Sequence, residues 1–95
     1  MLVVELEYKK PLSEVEKYVE EHRNFLKKYY DNKMLIASGP KIPRTGGIIL
    51  ANIDSCSMEK IIQKDPFHRH AIADYKITIF DPVKSSKEFA SILKN

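Results

Sequence analysis

Leu2-Val3-Val4-Glu5-Leu6-Glu7-Tyr8, then Lys9-Lys10-Pro11-Leu12, then Ser13-Glu14-Val15-Glu16 is the stretch that decides the architecture, because the apolar period changes across Pro11. Before the proline, Leu2, Val4, Leu6 and Tyr8 share one face and Val3, Glu5 and Glu7 the other. That is the period-two pattern of a strand with one covered face. After it, Val15, Tyr18, Val19, His22, Phe25, Leu26 and Tyr29 recur at spacings of three and four, the stripe of a single long helix. Glu14, Lys17, Glu20, Glu21, Asn24, Lys27 and Lys28 fill the polar side. Ser13 and Glu16 read as a capping box. Asn32 stands where the helix end needs a residue tolerant of the left-handed conformation.

Working outward, residues 34–38 form a short apolar strand, 39–46 a loop rich in Gly and Pro, and 47–53 a β-branched strand. Asp54-Ser55-Cys56-Ser57 offers several helix caps, and Met58, Ile61 and Ile62 give the apolar face of a second helix ending near Lys64. Asp65-Pro66-Phe67 closes it, since proline disfavours a helical residue before it. The last strand runs from 71 or 72 to Phe80. The order β-α-β-β-α-β predicts a ferredoxin-like α+β fold, with both helices on one face of a four-stranded antiparallel sheet. Residues 1–82 form that domain. Residues 83–95 form a short tail with a helical pattern, in which Ser85 and Glu88 repeat the capping box and Phe89, Ile92 and Leu93 share a face. The strands carry apolar residues on both sides, and an uncovered apolar sheet face marks an interface. The expectation is a homodimer or higher homo-oligomer with sheets packed face to face.

Ninety-five residues suffice for one modest core, burying roughly 60–65% of the unfolded surface. The chain is 43% hydrophobic and 31% charged, which argues against disorder. Its net charge of +3 comes from sixteen basic residues interspersed with thirteen acidic ones. A nucleic-acid binder concentrates its basic residues on one face, so no nucleic-acid partner is expected. Cys56 is the single cysteine, no signal-peptide pattern opens the chain, and no apolar run is long enough to span a membrane. A cytoplasmic protein without membrane association is the expectation.

Two residues stand out for chemistry. His22 lies within the apolar stripe, so it is either a buried histidine satisfied by one hydrogen bond or an acid–base group titrating near neutral pH. Asp65 is either turn chemistry before Pro66 or the carboxylate that fixes a histidine tautomer. His68 and His70 would point the same way in a strand, yet no Cys or Glu cluster accompanies them, so no metal site is expected. Cys56 reads as a packed thiol, Tyr18, Phe25, Tyr29 and Tyr75 as core or interface aromatics, and no phosphate-loop pattern occurs.

Four segments combine at this point: His22-Arg23-Asn24-Phe25-Leu26, Leu35-Ile36-Ala37-Ser38-Gly39-Pro40, Gly46-Gly47-Ile48-Ile49 and Asp65-Pro66-Phe67. In this order and spacing, over roughly residues 1–82, the chain resembles the YciI-like, or YCII-related, family. The resemblance implies a ferredoxin-like subunit of the dimeric α+β barrel type and an active site centred on a His and an Asp. These fall on His22 and Asp65, with Ser38 lining the same cavity. One branch of the family acts as a dehydrochlorinase on chlorinated hydroxyhydroquinones. The chain departs from the family pattern where glycine is usual before the second strand (Asn32 here) and after the DPF segment (near Ala71), and in carrying His68 and His70. The functional expectation is a small-molecule enzyme with His22 and Asp65 catalytic, Ser38, Arg23 and Gly39 binding substrate, and no cofactor; elimination from a small cyclic or aromatic substrate is the reaction type. The alternative is a non-catalytic ligand-binding or interaction protein on the same fold.

Overall fold

In the computed structural model, which describes residues 1–93, the elements run β1 (Leu2–Tyr8), α1 (Leu12–Glu16), α2 (Val19–Asp31), β2 (Leu35–Pro40), β3 (Gly46–Ala51), α3 (Ser55–Lys64), α4 (Pro66–Arg69), β4 (Ala73–Ile79) and α5 (Lys87–Leu93). The strands form one antiparallel sheet in the order β2-β3-β1-β4. With its helices this is the ferredoxin-like α+β arrangement. Register explains where the core lies. Leu2, Val4 and Leu6 pair with Ala51, Ile49 and Gly47 on one side and with Ile79, Ile77 and Tyr75 on the other. Directly paired residues share a sheet face. On that face Leu2, Val4, Leu6, Ile49, Ala51 and Ala73 are buried, in one cluster with Val15 of α1, Leu26 of α2, Met58, Ile61 and Ile62 of α3, and Phe67 of α4. Across the sheet, Val3, Ile48 and Leu50 are half-buried while Ala37, Gly39, Lys76 and Thr78 are exposed.

The long first helix is broken in two. Pro11, at φ −60° and ψ 154°, is the N-cap of α1, and its carbonyl accepts from the amides of Glu14 and Val15 at 2.9 and 3.1 Å. Ser13 therefore sits inside the helix, and the expected capping box does not form. Tyr18, at φ −117°, interrupts the helical path before α2 begins. With Pro11 as the cap, Glu16 has no capping duty, and its carboxylate pairs with Arg44. At the end of α2 it is Lys33, at φ 62°, that takes the left-handed conformation, while Asn32 stays at φ −83°. The amide of Lys33 donates to Tyr30 and that of Met34 to Tyr29, both at 2.9 Å. This paired pattern ends a helix one residue later than Asn32 would have done.

The middle strands are shifted from their expected spans. β2 continues through Gly39 and Pro40, and β3 starts at Gly46 and stops at Ala51. A side chain at Gly46 would collide with the Leu6 backbone, so only glycine admits this approach of β3 to β1. Asp65-Pro66-Phe67 ends α3 but also opens α4. Pro66 occupies the first turn, where its missing amide costs nothing. His68 and His70 therefore lie on α4 and at its end rather than in a strand, and the same-side argument for a metal pair fails. Ala71 follows at φ 53°, the conformation that favours glycine. In the tail, the cap of α5 is Ser86, which accepts from the Phe89 amide at 3.2 Å, in place of Ser85. Asn52 donates to the Ile92 carbonyl at 3.3 Å, fastening the tail to the end of β3; residues 94 and 95 of the expected tail lie outside the described residues. No described helix is long and apolar enough to cross a membrane.

Candidate functional site

The junction between α3 and α4 creates a buried carboxylate. Asp65 caps α4, its Oδ1 accepting from the Phe67 amide at 3.0 Å, and only 1% of the residue is exposed. A carboxylate this deep requires further donors. One comes from α2, where His22 Nδ1 lies 2.8 Å from the same Oδ1. An ionised carboxylate only accepts, so Nδ1 supplies the hydrogen of this contact; in the neutral ring the lone pair then lies on Nε2. The ring is fixed in a second way. It stacks on Phe67 with centroids 4.0 Å apart and planes at 1°, and Phe67 meets Tyr8 edge-on at 6.2 Å. The short helix α4 thus supplies both the hydrogen-bond partner and the wall of the His22 ring.

His22 borders a cleft of about 370 Å³ between α2 and the β2–β3 side of the sheet. Arg23, Ser38 and Gly39 line the same cleft. Asp65 does not reach it and lies behind His22. All five residues singled out in the sequence therefore fall in one neighbourhood, four on the wall and one behind it. His68, His70 and Cys56 do not border the cleft: His70 stacks on Tyr18 at 4.2 Å, His68 meets Tyr75 edge-on, and Cys56 is an exposed free thiol. Among the described residues no group of three or more His, Cys, Asp and Glu is placed to hold a metal ion.

Two contributors were not anticipated. Tyr30 donates to Ser38 Oγ across the gap between α2 and β2, and both border the cleft. Its signal was present: Arg23, Leu26 and Tyr30 are spaced by three and four, a second stripe beside that of His22. Arg44 reaches the cleft from the β2–β3 loop, where no periodicity announces a side chain's direction. The wall therefore carries two arginines, a histidine and the hydroxyls of Tyr8, Tyr30 and Ser38, and no carboxylate. Arg44 is already paired with Glu16, and Leu6, Val19, Leu26, Ile48 and Phe67 complete the wall, so the lining suits a small molecule with both apolar and oxygen-bearing parts.

No curated protein matches the chain in sequence. Among solved structures, 5-chloro-2-hydroxyhydroquinone dehydrochlorinase from Burkholderia phenoliruptrix AC1100, in complex with 2,5-dihydroxybenzoquinone, is similar with a TM-score of 0.70. The likeness covers 85% of this chain and 94% of that one at 14% identity, a level that speaks for the fold. The YCII-related domain matches residues 1–81. That span takes in all four strands and the cleft with its buried aspartate, and the chain belongs to the YCII-related family.

Proposed function

We propose that the cleft is the acid–base site of an enzyme acting on a small, oxygen-bearing cyclic substrate, with elimination as the reaction. The supporting observation is the 2.8 Å contact of His22 Nδ1 with a carboxylate that is 1% exposed. Neutral His22 takes a proton from the substrate through Nε2. The electron pair released expels a leaving group such as chloride, and the proton later passes to solvent. Asp65 holds the reactive tautomer and balances the imidazolium as it forms. Arg23 and Arg44 face the developing negative charge, while Ser38 and the Gly39 backbone orient a substrate oxygen. A placed general base contributes about 10²–10⁴-fold, enough for a substrate already inclined to eliminate. The dehydrochlorinase of similar fold, caught with a dihydroxybenzoquinone, supports this substrate class. The half-buried Val3, Ile48 and Leu50 support a homodimer closed through the open sheet face.

The test is chloride release from a chlorinated hydroxyhydroquinone by wild type, His22→Ala and Asp65→Asn. Expected is a loss of about 10²-fold or more in His22→Ala with the circular dichroism spectrum retained. Turnover that survives His22→Ala overturns the reading. The arginine-lined wall also favours a second reading, a binding protein for anionic aromatics. Thermal stabilisation by 2,5-dihydroxybenzoquinone with no turnover of any halogenated analogue would select it.

A further inference from the structure

Tyr75 projects from β4 onto the covered face, opposite Leu6, and α3 and α4 pack against its strand. Its hydroxyl is buried and is the one buried side-chain polar atom without a hydrogen-bond partner among the described residues. A buried hydroxyl left in that state is costly, so the group calls for an explanation. Its ring meets that of His68, three residues past Asp65, edge-on at 6.0 Å; burial first, and then the negative charge of Asp65, push the phenol far above its ordinary value. Tyr75 therefore keeps its proton throughout the working range and is available only as a neutral donor. The Asp65 carboxylate, for its part, uses Oδ1 for both of its observed hydrogen bonds, to Phe67 and His22. Its second oxygen has no donor among the described residues. A donor without an acceptor thus stands beside an acceptor without a donor.

We infer that Tyr75 is a positioning residue for the His22–Asp65 pair, donating its phenolic hydrogen to the carboxylate and so setting how strongly that carboxylate draws the His22 proton. The inference rests on the acid–base reading above and adds a third member to it. Tyr75 touches no substrate: it does not border the cleft but a second, more polar hollow, which it shares with Glu59, His68 and Asp74. These three are the other titratable groups on its side, from α3, α4 and β4. On the cleft side His22 faces Arg23, Arg44, Tyr8 and Tyr30. A carboxylate that accepts one more hydrogen bond is a weaker partner for each of the others. Removing the Tyr75 donor leaves Asp65 a stronger acceptor and stabilises the imidazolium form of His22.

The ring protons of His22 are followed by NMR from about pH 5 to about pH 9 in wild type, Tyr75→Phe and Asp65→Asn. Expected is an upward shift of the His22 titration by about half a pH unit in Tyr75→Phe, roughly threefold in proton affinity, and a downward shift in Asp65→Asn. If Asp65→Asn lowers the titration while Tyr75→Phe leaves it in place and raises the melting temperature, Tyr75 is a core residue with a wasted hydroxyl and the inference falls alone. If neither variant moves His22, the acid–base pair falls with it. His68, which touches Tyr75, serves as the internal control for local disturbance.

Discussion

Asp54 and Asp65 hold the same local post in two neighbouring helices. Asp54 caps α3, accepting from the Ser57 amide at 2.7 Å and its hydroxyl at 3.0 Å; Asp65 caps α4, accepting from the Phe67 amide at 3.0 Å. Asp54 is exposed and all its observed partners belong to the turn it caps. Asp65 is buried, and the oxygen that caps α4 also receives the His22 ring from another helix. The capping chemistry is shared, so burial and the arrival of α2 make the difference. A cap in water stabilises a helix end, whereas a cap in the core becomes a charge that something must answer.

The sharpest way to break this comparison is to remove both carboxylates. Asp65→Ala leaves the Phe67 amide and His22 Nδ1 without an acceptor in a buried place, a loss of about 3–5 kcal/mol in chemical denaturation. Asp54→Ala loses a solvated cap, and its midpoint moves much less. Equal losses would mean that Asp65 is no more than turn chemistry.

A pH series sharpens the contrast from the other side. The Ser57 amide, and then its hydroxyl, hold the Asp54 carboxyl below its ordinary value of 3.8. A carboxyl lowered on folding contributes stability that is complete above the unfolded value and lost as pH falls through the folded one. The melting-temperature gap between wild type and Asp54→Asn therefore closes between about pH 5 and about pH 2. A gap that stays constant shows that the charge of Asp54 contributes nothing.

The smallest effect concerns the exit from α4. Ala71 holds φ 53°, so Ala71→Gly relieves a left-handed alanine and raises stability by roughly 0.5–1 kcal/mol in thermal melts. An unchanged or lower melting temperature would show that α4 is seated without strain.

How much of this was legible followed the range of the forces involved. The alternation of Leu2, Val4 and Leu6 and the end of α3 before Pro66 are local and read correctly; the cap of α3 was narrowed to several candidates, of which Asp54 serves, and the start of α4 at Pro66 was not foreseen. His22 and Asp65, forty-three positions apart, came together through four family segments and not through periodicity. The break at Tyr18 was invisible because the apolar stripe runs on across it, and the cap depends on the Pro11 carbonyl, which no side-chain pattern encodes. The Asn32 reading missed by one residue because the hydrogen bonds that close the helix set the left-handed position, and these placed Lys33 there. Arg44 and Tyr75 were missed as participants because a loop direction and a strand's depth under two helices are properties of the assembled fold.

A single oxygen, Asp65 Oδ1, joins a helix start to a histidine ring, and this shapes how the chain can change by mutation. Asparagine is a good helix cap and keeps an acceptor for His22, but carries no charge. On the proposed reading, one substitution yields a folded descendant with a muted histidine that still owns its arginine-lined cleft. Replacement by any apolar residue instead passes through an unstable chain. Loss of catalysis with retention of binding is then the easier direction of drift, so within one lineage enzymes and silent binders can share this architecture.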